Sequence, residues 1–191
     1  MGTTGAGMMT EKKNVWEFGT RQVVYGAIGA ALYGVLSWVT NFVPLPAAGN
    51  VTFRPAVAVL VFFGVAYGPV VGLLAGLFGN ILGDAISGFG FYWNWSLGNG
   101  LMGMLAGMAY GGMMNFRSGS TIVKAVIWSV IGIGVGMLFA SLTEMLTSGI
   151  DLNTALVGYF TPAFLGNLVV TVILLPILMI AFAGVAAGRG R

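Results

Sequence analysis

No charged residue interrupts this chain between Arg21 and Arg54, between Arg54 and Asp84, or between Lys124 and Glu144. A soluble element cannot run that far uncharged, because its solvent face has to be polar. A bilayer core about 30 Å thick demands such runs, roughly 20 predominantly apolar residues for each helical crossing. Inside hydrocarbon a helix satisfies its own backbone groups. Across all 191 residues only 7% are charged and 58% are hydrophobic, which leaves too little charge to cover a soluble domain. The chain reads as an all-α integral membrane protein.

Helix breakers divide the apolar sequence into six predicted spans. The first runs from about Arg21 to Asn41. Pro44 and Pro46 end it, and PLPAAGNVTF makes a loop long enough to fold over a site. A second span follows from Phe53 to Tyr67, with Pro55 in its first turn, where a missing N–H costs nothing. Gly68-Pro69 separates it from a short third span, Val70 to Asp84. After the loop AISGFGFYWNW comes a fourth, Ser96 to Met114, and then a fifth, Ile122 to Leu146. TSGIDLNTALVGY reads as a loop. The sixth span opens with Pro162 in its first turn, ends near Phe182, and should kink at Pro176. Residues 1–20 then form a flexible cytoplasmic N-terminus, 21–184 a six-helix membrane domain, and 185–191 a cytoplasmic tail.

Six crossings put both termini on one side. Lys12, Lys13, Arg21, Arg117, Lys124, Arg189 and Arg191 gather on that side and only Arg54 on the other, so the termini are expected in the cytoplasm. The first apolar run is long enough to span, so it reads as a retained helix and not a signal peptide. The expected location is the cell membrane, as a multi-pass protein.

Cysteine is absent and so is histidine, which removes thiolate and imidazole metal sites and any histidine-dependent triad. No phosphate-binding loop of the G-x-x-x-x-G-K-[ST] type occurs. No metal and no cofactor is expected. An intramembrane enzyme would have to work with Asp84 and Glu144 alone, so the chain is not expected to be one.

Small residues recur every four positions, on one face of a helix. In the third span Gly72, Gly76, Asn80 and Asp84 share a face. The fifth repeats the design with Gly132, Gly136, Ala140 and Glu144. Gly100, Gly103, Gly107 and Gly111 mark the fourth. In the first, Gly26, Ala30 and Gly34 make a smooth packing face beside Ala27 and Ala31. The uncommon polar side chains collect at the outer helix ends: Arg54, Asn80, Asp84, Trp93, Asn94, Trp95, Asn99, Glu144 and Asn167. These are the candidate substrate-binding residues, with flat faces added by Phe91 and Tyr92. Each has a plainer reading. Trp93 and Trp95 could anchor at the interface, Arg54 could form a structural ion pair, and the asparagines could join helices. No ionisable group is left near the midplane, where an ion-coupled carrier needs one. The pattern is an outward-facing binding cup without a coupling apparatus of its own.

The run YGPVVGLLAGLFGNILGDAI, Tyr67 to Ile86, followed by Trp93-Asn94-Trp95 and a glycine-rich span, resembles the S components of energy-coupling factor (ECF) transporters, most closely the riboflavin-type branch. The resemblance is clear over roughly residues 50–110. It implies an energising module composed of a membrane coupling subunit and two cytosolic ATPases, and uptake of a vitamin or vitamin precursor. It further implies that Gly26, Ala27, Ala30, Ala31 and Gly34 of the first helix face the coupling subunit, and that the pocket is on the outer side. Asparagine amides and aromatic faces suit a flat heterocycle. Riboflavin is favoured, while thiamine, hydroxymethylpyrimidine or another vitamin stays open because two carboxylates suit a cationic or amino-bearing ring. An autonomous channel or facilitator is the alternative from another class.

Overall fold

A computed structural model describes residues 15–41, 44–45, 51–111 and 114–188. The expected flexible N-terminus falls outside the described residues over 1–14, as do the end of the tail at 189–191 and much of the first long loop. Among the described residues the fold is all-α: α1 (Thr20–Thr40), α2 (Val57–Tyr67), α3 (Pro69–Ile86), α4 (Trp93–Ala106), α5 (Gly119–Ser148) and α6 (Thr161–Gly188). A 3-10 turn, Gly107–Ala109, extends α4, and a π-helical stretch, Thr154–Phe160, leads into α6.

Four segments are long and apolar enough to cross a membrane: Thr20–Thr40, Pro69–Ile86, Gly119–Ser148 and Thr154–Val185. The six expected helices are present, and these four are the ones whose length and composition suffice for a crossing. α2 has 11 residues, about 16 Å at roughly 1.5 Å per residue, and α4 has 14, so neither bridges the hydrocarbon alone. α2 is short at its start because the chain before it is held in tight turns. Val57 N–H bonds Arg54 O at 3.0 Å and Val59 N–H bonds Ala56 O at 2.9 Å. α2 ends at Gly68, whose φ of 102° only glycine adopts without strain, and Pro69 at once starts α3.

The expected loop over 147–159 is corrected, since winding resumes at Leu152 and continues into α6. Asp151 starts it by accepting the Thr154 N–H on its side chain at 2.8 Å. The wide π turns stand just ahead of Pro162, where an ordinary turn would press the proline ring on the carbonyl four residues back. Thr161 Oγ1 donates to Leu156 O, five residues earlier, at 2.9 Å. α6 runs through Pro176 to Gly188, so residues 185–188 are helical.

α4 is clamped between α3 and α5 by glycines. A Cβ on Gly72 would lie 2.0 Å from Gly103 O, and one on Gly103 would lie 2.2 Å from Gly72 O. On its other flank α4 repeats the arrangement, with Gly98 and Gly136 each 2.6 Å and 2.3 Å from the other's carbonyl by the same measure. Backbones can approach that closely only where side chains are missing. α1 packs on the remaining side of α3, while α2 and α6 complete the bundle. The four-residue faces read in α3 and α5 are thus real packing faces, both against α4.

The small residues of the first helix divide between two faces. Gly26, Ala30 and Gly34 are buried against α3: a Cβ on Gly26 would lie 2.8 Å from Leu74 Cβ, and one on Gly34 3.0 Å from Gly79 O. These three positions pack within the chain, against α3. Ala27 and Ala31 stay exposed, among Val24, Ile28 and Leu32. Apolar side chains also stand exposed along α5 and α6, including Ile127, Ile131, Val169 and Ile173. In water such an apolar exterior would drive aggregation; here it is the lipid face.

Candidate ligand-binding site

Where α3 ends and α4 begins, the bundle encloses a cavity of about 260 Å³. That is close to the lower end of the range for small-molecule sites, roughly 300–1,000 Å³. Its walls are Val51, Thr52, Arg54 and Val57 ahead of and at the start of α2, Asp84 of α3, and Phe89 and Tyr92 of the following loop. Trp95 and Asn99 come from α4, Met137, Glu144 and Ser148 from α5, and Tyr159, Ala163 and Asn167 from the π stretch and α6.

One pole is built around Asn80. Its carbonyl Oδ1 accepts from Arg54 Nη1 at 2.9 Å and from Asn99 Nδ2 at 3.2 Å. Its amide donates to Asp84 Oδ2 at 2.8 Å and to Ser96 Oγ at 3.2 Å. Both donors and both lone pairs of the amide are therefore in use. Arg54 Nη2 pairs with Asp84 Oδ1 at 3.2 Å and Nε donates to Thr52 Oγ1 at 3.1 Å. Thr52 in turn donates to Asn41 at the end of α1, and Asn41 to Ser87 at the end of α3. Tyr33, wholly buried in α1, donates to Asn99 Oδ1 at 2.9 Å. Gly79 leaves room for that ring, since a Cβ there would lie 2.7 Å from it.

The second pole is Glu144. Asn94 Nδ2 and Trp95 Nε1 both donate to its Oε2, at 2.7 and 2.8 Å, and Ser148 Oγ donates to Oε1. Asn94 also donates to Ala140 O, tying α4 to α5. No cation contacts Glu144 among the described residues. Amide and indole N–H groups can only donate, so Oε2 faces them as an unprotonated acceptor. Between the poles Trp95 and Tyr159 lie 6.2 Å apart, centre to centre, at 39°. Asn167 closes this side, donating only to the Met137 sulfur at 3.3 Å, a weak acceptor.

Of the nine sequence-predicted residues, Arg54, Asp84, Trp95, Asn99, Glu144 and Asn167 line the cavity. Asn80 and Asn94 are buried behind it, holding Arg54 with Asp84 and holding Glu144. Trp93 is 44% exposed and packs edge-on against Phe139, and Phe91 is 67% exposed; neither lines the cavity. The first turn of α4 explains this, because Trp93 and Trp95 point to different sides of a helix that the sequence reading began at Ser96. Phe89, Tyr159, Thr52 and Tyr33 were not foreseen. Thr52 carried a signal, since it stands two residues before Arg54 on an extended segment and so shares its side.

At the far end the bundle is plugged by rings. Phe62, Phe116 and Phe182 meet with centroid distances of 5.3–6.3 Å, and Tyr25 stacks on Tyr67 at 4.3 Å. The apolar helices and the one-ended polar cavity define a multi-pass membrane protein with a small-molecule-sized cavity at one end of its bundle.

The family model described as ECF-type riboflavin transporter, S component, matches residues 17–183, and the chain belongs to that family. A UPF0397 protein of Aliivibrio fischeri (strain MJ11) is 43% identical over 88 residues, 46% of this chain and 47% of the relative. The match thus spans about half the length of that relative.

Proposed function

We propose that this chain captures a flat vitamin heterocycle from outside the cell and delivers it to an ATP-driven ECF module. The observation that carries the reading is the cavity. It opens among Asp84 and Glu144, the half-buried Arg54 and four aromatic rings, in a chain matched by an S-component family model over 17–183. Six crossings with cytoplasmic termini put Arg54 and the cavity outside and the remaining basic residues inside, as the distribution of Lys and Arg favours. α2 and α4 then cross as paired short helices, α4 lengthened by its 3-10 turn. The aromatic plug at the inner end argues against a continuous pore.

Riboflavin is the favoured ligand, on the strength of the family; thiamine and hydroxymethylpyrimidine are the rivals. Titrating the purified protein with each while following tryptophan fluorescence tests the reading. Submicromolar saturation by one of them, weakened at least tenfold in Trp95→Ala, is expected. Saturable binding of none of the three would end it.

The partners are a membrane coupling subunit and two cytosolic ATPases. Ala27 and Ala31 are the positions on α1 left open for a coupling helix. Ala31→Trp should abolish co-purification of the module while leaving ligand titration unchanged. Undisturbed assembly would move the docking face elsewhere.

A further inference from the structure

The two poles of the cavity are not equivalent in what they still offer. Arg54 commits three of its five N–H donors to Thr52, Asn80 and Asp84, so two remain. Asp84 is neutralised by Arg54 and also accepts from Asn80. Glu144 carries a charge that no cation offsets among the described residues, and Ser148 engages only one side of its Oε1. Each carboxylate oxygen accepts about two hydrogen bonds, so acceptor capacity is left over at the cavity wall. Trp95 bonds Glu144 through its indole N–H, which fixes the plane of its ring relative to the carboxylate, and Tyr159 faces that ring.

We propose that Glu144 is the specificity-determining residue of the cavity, accepting a hydrogen bond from a ring N–H or exocyclic amine of a flat ligand that lies against the wall formed by Trp95 and Tyr159. The ligand's acceptor end then falls to Arg54, which lines the opposite pole of the cavity. A donor edge reaches a carboxylate prepositioned by Asn94, Trp95 and Ser148, so the bond is charge-assisted and about twice as strong as a neutral one. A ring lacking the donor leaves a buried carboxylate facing carbon, and is rejected. Two ligand chemistries share this donor edge: the imide N–H of a flavin and the amine of an aminopyrimidine. The inference rests on the cavity being the vitamin site.

The test uses matched pairs on the full-length purified protein: riboflavin with 3-methylriboflavin, and hydroxymethylpyrimidine with its analogue lacking the amine. Whichever parent binds, its donor-less analogue should bind at least tenfold more weakly. In Glu144→Gln that gap should shrink severalfold, because the parent weakens and the analogue does not. Equal binding of parent and analogue to the unaltered protein overturns the inference, and so does the same gap in both proteins. The comparison on the unaltered protein stands even if the variant fails to fold. Binding of neither parent also overturns the inference, and only the failure of thiamine as well removes the functional reading beneath it, so the two failures are distinguishable.

Discussion

α3 and α5 flank α4 with the same spacing of residues. Gly72, Gly76, Asn80 and Asp84 press on one side, and Gly132, Gly136, Ala140 and Glu144 on the other. Each arm ends in a carboxylate at the cavity. The arms then diverge. The α3 arm places an asparagine one turn before its carboxylate and recruits Arg54, so the charge is neutralised within a network reaching α1, α2 and α4. The α5 arm has Ala140 in that place and supports its charge with three neutral donors. A repeated packing solution has thus been fitted with one pole that is locked by an ion pair and one that keeps hydrogen-bonding capacity.

The strongest way to break the comparison is to fill the shared packing face. Gly76→Val and Gly136→Val would each drive a side chain into a carbonyl, Asn99 O at 2.1 Å and Gly98 O at 2.3 Å from the Cβ position. Both should destabilise by about 3 kcal/mol or more, because main chain and not a flexible side chain has to yield. Gly134→Ala is the control, since its Cβ would meet only Phe164 at 3.7 Å. Thermal unfolding in detergent reads all three. A variant on one arm that melts with the unaltered protein would mean that the arms do not carry equal packing.

Next in size is the contrast between the poles. Arg54→Ala leaves Asp84 buried and unpaired, and should cost about 3 kcal/mol. Glu144→Gln keeps an acceptor for Asn94 and Trp95, and Ser148 can rotate to accept, so its cost should stay under about 1 kcal/mol. Denaturation of the two purified variants side by side is the measurement. Equal losses would erase the distinction between locked and open.

The smallest expected effect sharpens the second pole. Trp95→Phe keeps a ring but removes the N–H that Glu144 accepts, and should lower stability by about 1 kcal/mol. Trp93→Phe, which loses no hydrogen bond to the network, should change it by less than about 0.5 kcal/mol. Melting curves that reverse this order would mean that the Trp95–Glu144 bond does not support the second pole.

Much of this was legible in the residues, for an identifiable reason. Glycines four apart leave few options in a membrane helix, so the faces of α3 and α5, and with them Asp84 and Glu144, could be read directly. Arg54 was legible because a lone arginine among apolar spans has to meet a carboxylate. The side of α1 was not. Gly26, Ala30 and Gly34 lie beside Ala27 and Ala31 on a helix apolar all round, so spacing alone could not say which stripe α3 would take. Phe89 and Tyr159 escaped because their direction depends on a loop and on π turns, where the 3.6-residue period fails. α2 and α4 read as longer spans because hydropathy does not register where turns trim a helix.

The contacts that hold α3, α4 and α5 together are main chain against main chain, at Gly72 with Gly103 and at Gly98 with Gly136. Ordinary cores can be retuned by exchanging one side chain for another, but here no side chain is interposed to be exchanged. The gap between the two carboxylates behaves like the jaws of a fixed gauge, set by the thickness of a bare backbone. A scaffold of this kind can alter what it accepts by repainting the jaws at Tyr92, Trp95, Tyr159 or Asn167. It cannot do so by resizing them.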